Sequence, residues 1–425
     1  MRKKIFIAIV LSVVIFTSFS LAVSAMEKKK KDDLYRQVAL FSDALAIIQS
    51  DYVDEISARD LIYGALKGMV SALDPHSQFM DPDTYNELKV DTEGKFGGLG
   101  IEITIKDGLL TIITPIEDTP AWQAGIKAND RIVKINNEIT RDISLTESVK
   151  KLRGKPGEAV TLTILRESEK KLLEFKIVRD IIKIKDIKEA KILEEGVGYI
   201  RLVEFREGTS GQLDNALSDL KKNGMNALIL DLRNNPGGLL DVAVKVVEKF
   251  IEKEKLIVYT QGRKAAQDLK FFSRNANPIL DLPMVVLINE GSASASEIVA
   301  ASLQDYKRAI ILGIKSFGKG SVQTVIPLSD GSGLRLTTSK YFSPLGKVIH
   351  GQGVAPDIVV EEGKIEVASE QESESKKPEQ VFQELEKKEQ LVPQTKALDY
   401  KSNNQLMRAV DVLKAIKIYK GTHGG

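Results

Sequence analysis

The chain of 425 residues contains no cysteine and three histidines, His76, His350 and His423. A thiol nucleophile, a disulfide, thiolate-held zinc and iron-sulfur clusters are excluded at once. His423 lies in a Gly-rich tail, and His76 sits beside Pro75 with no second histidine near it, as a structural hydrogen-bonder would. A histidine-based triad or metal cluster would have to draw on His76 and His350, so the chemistry is expected to use another base. The run Gly291-Ser292-Ala293-Ser294-Ala295-Ser296-Glu297 follows an apolar strand, 284–289, and opens a predicted helix. Ser294 with Glu297 three places on reads as a capping box. The same turn of small residues also exposes a hydroxyl beside free helix-terminal amides, which suits a nucleophile with an oxyanion stabiliser. Lys319 stands downstream between Gly318 and Gly320, and Gln323 follows it. A neutral lysine amine deprotonates serine where no histidine serves. Bringing that lysine from about 10.4 to about 7 costs on the order of 4 to 5 kcal/mol, so burial must do it. On a regular strand Lys319 and Gln323 would be roughly 13 Å apart, so the flanking glycines must bend the chain.

Two glycine-rich segments suggest anion binding. Gly313-Ile314-Lys315-Ser316-Phe317-Gly318-Lys319-Gly320 imitates a nucleotide-binding loop. It lacks the Ser or Thr that would hold magnesium, and the following residues 321–327 alternate like a strand where a helix is required. The segment Phe96-Gly97-Gly98-Leu99-Gly100-Ile101 precedes an alternating strand. Consecutive amides there can converge on a carboxylate while the strand edge pairs an extended peptide, the combination that captures a C-terminal tail.

The elements that must position these residues fall into three textures. Apolar positions from Leu34 to Leu73 step by threes and fours, which predicts helices that end at Asp74-Pro75-His76-Ser77. Short alternating strands fill 93–180, with Ile101, Ile103 and Ile105 on one face, a turn at 106–108, and one amphipathic helix over 145–152 closed by Arg153-Gly154. From 181 to about 362, strands alternate with helices, predicting an α/β layered core. Residues 365–396 are rich in Glu, Lys, Ser and Gln and read as a solvated linker, followed by an amphipathic helix over 405–418. Its stripe of Leu406, Val410, Leu413 and Ile416 is expected to dock on this chain or on a second copy.

Thr119-Pro120-Ala121, Ala124-Gly125-Ile126 and Asn129-Asp130-Arg131-Ile132-Val133-Lys134-Ile135-Asn136, with the glycine loop before them, resemble the PDZ pattern. Asn129 stands where such sequences often have Gly, and Asn tolerates a left-handed turn. Five ordered motifs widen the resemblance: 73–77, the PDZ insertion, Asp231-Leu232-Arg233-Asn234-Asn235-Pro236-Gly237-Gly238, residues 291–305 with 317–320, and Gly353-Val354-Ala355-Pro356-Asp357. Together they are similar to the carboxyl-terminal processing peptidases, or tail-specific proteases. The resemblance implies an α+β multidomain chain whose layered, ClpP/crotonase-like peptidase core carries an inserted PDZ domain. It implies a serine endopeptidase that needs no metal or cofactor, with Ser294 and Lys319 as a dyad, Gln323 as a third member, and oxyanion donors from the amides of Ala295 and Gly238. It also implies substrates with apolar C-terminal tails, held at Gly98, Leu99, Gly100 and Ile101. Arg153, ending the helix that flanks the peptide groove, is expected to link tail binding to the core.

Arg2, Lys3 and Lys4 precede an uncharged run over 5–26, and Val23-Ser24-Ala25 puts small side chains at a cleavage position. The run reads as a signal peptide or a retained membrane anchor, and either places the chain outside the cytoplasm. Lys plus Arg at 61 against Asp plus Glu at 59 leaves +2, too balanced for a chain that grips nucleic acid. The expected organisation is 1–26 signal or anchor, 27–90 helical region, 91–180 PDZ domain, 181–362 peptidase core, 363–398 linker and 399–425 C-terminal helix. A homodimer through the terminal helices is a further expectation.

Overall fold

The computed structural model describes residues 34–106, 108–116, 118–141, 143–166, 171–363, 400 and 403–423. The export segment and most of the charged linker lie outside the described residues. No helix among the described residues is long and apolar enough to cross a membrane.

The chain divides into two compact units, and among the described residues the smaller comprises residues 34–82 with Val325–Leu336. Residues 34–51 are helical, and a second helix, Ala58–Ser71, begins where Ser57 accepts from the Asp60 amide. The predicted stop is a side-chain turn: Asp74 accepts from the amides of His76 and Ser77, each at 2.8 Å. The strand Gln78–Met80 then pairs antiparallel with residues 333–335, burying Phe79 and Met80. By contrast Leu34, Val38, Phe41 and Ile48 on the first helix are exposed.

The larger unit is built on a six-stranded sheet ordered Ile187–Ile192, Val197–Leu202, Ala227–Asp231, Met284–Ile288, Ile310–Gly313 and Ile358–Val359. The first pair is antiparallel and the others are parallel. Parallel strands carry helices on both faces, which explains why Ala227–Asp231 and Met284–Ile288 are buried at every position. Helices Thr209–Lys222, Leu240–Val247 and Ala295–Asp305 cover one face. Helix Asn404–His423 covers the other, where Leu406, Ala409, Val410 and Leu413 pack on Val197, Tyr199, Ile229 and Leu287. The apolar stripe of that helix is thus spent on the chain's own sheet.

Residues 101–178 of the same unit form an antiparallel sheet ordered Ile101–Lys106, Leu109–Pro115, Arg131–Ile135, Ala159–Arg166 and Lys171–Val178, with helix Leu145–Leu152. Alternation drives it: Val160, Leu162 and Ile164 have no exposure, while their neighbours are partly open. Asn129 adopts φ 66°, the left-handed turn expected of it. The ladder between Lys95–Gly98 and Asp180–Lys183 closes the module at its base. Arg206 of the core clamps the entering chain, donating to the Asp91 carbonyl at 2.8 Å and to Asp186 at 2.6 Å.

Candidate active site

Ser294 lies at the junction of strand Met284–Ile288 with helix Ala295–Asp305, where φ 54° and ψ −112° put it outside the regions that non-glycine residues favour. Its two serine neighbours are committed elsewhere. The buried Ser292 hydroxyl donates to the Leu232 carbonyl at 2.8 Å, and the buried Ser296 hydroxyl donates to the Asn235 carbonyl at 2.9 Å. Ser294 is the half-buried member of the three.

The turn Asn234–Gly238 is held directly against this serine. Asn235 accepts from the Ala293 amide at 3.0 Å through its carbonyl and from the Gly237 amide at 2.9 Å through its side chain. A Cβ on Gly237, whose φ is 105°, would stand 2.7 Å from the Ser294 Cβ and 2.9 Å from the Ala295 nitrogen, so only glycine fits. Gly238 packs on Phe205 in the same way, and the Phe205 amide donates to the Gly237 carbonyl at 2.9 Å. Among the described residues, the amides of Gly238 and Ala295 meet no backbone acceptor outside regular elements. The Ala295 amide directly follows Ser294 at the helix start, and Gly238 directly follows the glycine packed against Ser294.

Lys319 is half-buried in the loop between Ile310–Gly313 and the strand Ser321–Pro327. One side chain joins it to Ser294. The Glu297 carboxylate has no exposure, yet it accepts from the Ser294 amide at 2.8 Å, the Lys319 amide at 2.8 Å, the Gly318 amide at 2.7 Å and the Ser316 hydroxyl at 2.6 Å. The residue read from sequence as a helix cap therefore ties the serine turn to the lysine loop across 22 positions of chain. The Phe317 amide adds a bond to the Ser292 carbonyl at 3.0 Å, and the Gly351 amide donates to the Gly318 carbonyl at 2.8 Å. Gly318 takes φ 94°, but it precedes Lys319 and so leaves the spacing between Lys319 and Gln323 unchanged. Gln323 is the third residue of the following strand, and its amide nitrogen donates to the Ser321 hydroxyl at 2.9 Å.

Several residues at this site were given no role from the sequence. Tyr341 is buried, donates its hydroxyl to the Lys319 carbonyl and is pushed well above the ordinary range by burial and by the Glu297 charge. Asp231 and Arg233 form a buried pair at 2.5 Å just before the glycine turn. Tyr199 donates to Asp231 at 2.8 Å, and Arg233 donates to Gln405 of the C-terminal helix at 2.8 Å. Burial, and secondly the Asp231 charge, raise the Tyr199 phenol far above its usual value. Two charges at the end of an otherwise apolar strand were the available signal, but their partner lies 172 residues away.

The tail-binding candidates gather at one end of the antiparallel module. Leu99 is buried, and Gly100 takes φ 77° with its carbonyl accepting from the Ile116 amide at 2.8 Å. A Cβ on Gly100 would collide with Thr119 at 2.3 Å. Gly97 approaches the end of helix Leu145–Leu152 so closely that the Gly154 amide donates to its carbonyl at 3.2 Å. Arg153 caps that helix and lays its guanidinium 4.4 Å from the centre of the Phe96 ring. The glycine loop, the strand Ile101–Lys106 and the helix are thereby held together. The His350 backbone packs against Gly320, the residue after Lys319. No cluster of metal-binding side chains occurs among the described residues.

Comparison with known proteins finds matches along three stretches of the chain. Residues 196–360 match peptidase family S41, residues 111–166 match the PDZ domain, and residues 16–84 match the activating protease CtpB N-terminal domain. A carboxy-terminal-processing protease of Bartonella bacilliformis is 44% identical over 354 residues, covering 82% of this chain and 81% of that protein. A probable CtpA-like serine protease of Staphylococcus epidermidis is 35% identical over 365 residues, covering 84% of this chain and 73% of that protein. Among solved structures, the photosystem II D1 C-terminal processing protease aligns at 29% identity and a TM-score of 0.44, covering 76% of this chain and 92% of that one.

Proposed function

Since the chain belongs to the carboxy-terminal-processing proteases, serine peptidases of family S41 with a PDZ domain, we propose that Ser294 is its nucleophile and Lys319 its general base. The neutral Lys319 amine takes the Ser294 proton as the hydroxyl oxygen attacks the scissile carbonyl carbon. The resulting oxyanion lies between the amides of Ala295 and Gly238, whose dipoles are fixed before charge develops. Lys319 then returns the proton to the departing amine, and a water activated by the same lysine hydrolyses the acyl-enzyme. Gln323 serves to orient the lysine amine. The observation that carries this reading is the Glu297 carboxylate, which grips the amides of both Ser294 and Lys319 in one buried contact.

Substrates are protein chains with free, apolar C-terminal tails. The tail carboxylate docks at the amides of the 98–100 loop and the tail pairs with the Ile101–Lys106 strand. Arg153 relays tail occupancy to the core through Phe96, which belongs to the entering strand. The enzyme works outside the cytoplasm, secreted or held at the membrane by residues 1–26. The exposed apolar residues of helix 34–51 serve to pair two copies, because Leu406, Val410 and Leu413 of the C-terminal helix are buried on this chain's own sheet. The test is to incubate the wild type and Ser294→Ala with unfolded proteins that end in apolar tails. Mass spectrometry should find internal cleavage by the wild type only. Equal product from both would refute the assignment.

A further inference from the structure

We propose that Tyr341 is a positioning residue that fixes the backbone of Lys319. The proposal rests on the Ser294 and Lys319 chemistry above and adds the group that holds the lysine in place. Tyr341 lies near the end of strand Gly333–Phe342 and is 1% exposed, its ring packed within the main hydrophobic core. Its hydroxyl donates to the Lys319 carbonyl, and its amide donates to the Gly320 carbonyl at 3.0 Å. From the other side, Glu297 accepts the Lys319 amide at 2.8 Å. The lysine is therefore held at both its N–H and its C=O.

That double hold is needed because of what surrounds it. Gly318 and Gly320 leave the loop free to twist, and a twist at the root swings an amine carried on a four-carbon arm. A rigid strand residue removes that freedom where the loop cannot. A phenol has one O–H, and here the Lys319 carbonyl takes it, so a phenylalanine of the same shape would leave that carbonyl without its donor.

The experiment compares wild type, Tyr341→Phe and Lys319→Ala of the full chain on one unfolded polypeptide with an apolar tail, with rates normalised to the folded fraction by circular dichroism. Tyr341→Phe should lower kcat by about 10- to 100-fold and leave KM within about twofold, since misplacement of reacting groups by an ångström costs about that much. Tyr341→p-aminophenylalanine, which keeps a donor at the same place, should recover most of the lost kcat. A Tyr341→Phe enzyme with wild-type kcat, beside an inactive Lys319→Ala, overturns the role of Tyr341 alone. So does a p-aminophenylalanine enzyme that is folded yet no better than Phe, because packing and not the donor would then matter. Activity retained in Lys319→Ala overturns the dyad reading, and this proposal with it.

Discussion

Glu297→Gln changes one oxygen for an NH2 group at the most heavily used side chain of the site. The carboxylate receives four donors at 2.6 to 2.8 Å, two on each oxygen: Ser316 and Gly318 on Oε1, Lys319 and Ser294 on Oε2. A glutamine can satisfy only one of these pairs. The cheaper orientation puts the NH2 at the Oε1 position, because the Ser316 hydroxyl can turn and accept while the Gly318 N–H cannot. That leaves one buried amide unpaired and removes the charge from the bonds that remain, each charge-assisted bond being worth about 1.5 to 3 kcal/mol. Relief of a buried charge offsets part of the loss, so the net destabilisation should be about 2 to 4 kcal/mol. The Lys319 loop should loosen with it, and kcat should fall about 100-fold. Urea unfolding measures the first effect, and initial rates in the absence of urea measure the second. If Glu297→Gln keeps both the wild-type midpoint and the wild-type rate, the carboxylate does not join the two halves of the site.

Other consequences follow from single contacts. Gly237→Ala would force a Cβ to 2.7 Å from that of Ser294 at φ 105°, so kcat should drop at least about tenfold in steady-state assays while the tail still binds. Leu413→Ala empties a fully buried position between the C-terminal helix and the sheet, and should cost about 2 to 5 kcal/mol in urea unfolding. Amidating a substrate's C-terminus should weaken its cleavage in competition with the free acid, because a neutral amide forfeits charge-assisted bonds to the 98–100 loop. Equal rates for the two would remove the carboxylate from recognition.

What the sequence makes legible is local. The strand over 284–288, the turn of small residues and the helix from 295 follow from apolar runs, capping chemistry and spacing, and each is found within a residue of expectation. Alternation likewise places the strands of the PDZ module, and helix Leu145–Leu152 falls where its apolar period put it. Long-range assignments were harder. Glu297 satisfies the local pattern of a cap so well that its reach to Gly318 and Lys319 leaves no separate trace. Tyr341 reads as one more aromatic in an alternating strand, and only the tertiary fold sets its hydroxyl on the Lys319 carbonyl. Arg233 needs Gln405, and a single chain carries no signal that joins those two positions. The amphipathic C-terminal helix announces a partner surface without saying whose, and the structure supplies this chain's own sheet.

The dyad itself is tested most directly by the rate of peptide cleavage as a function of pH in wild type, Ser294→Ala and Lys319→Ala. A base must be neutral to act, so the wild-type rate should rise with pH as the Lys319 amine loses its proton and then level. Each alanine variant should lose nearly all turnover at every pH while still binding tail peptides, and the double variant should be little worse than either single one. Substantial cleavage by folded Lys319→Ala with an unchanged pH profile would contradict the assignment of Lys319 as the base.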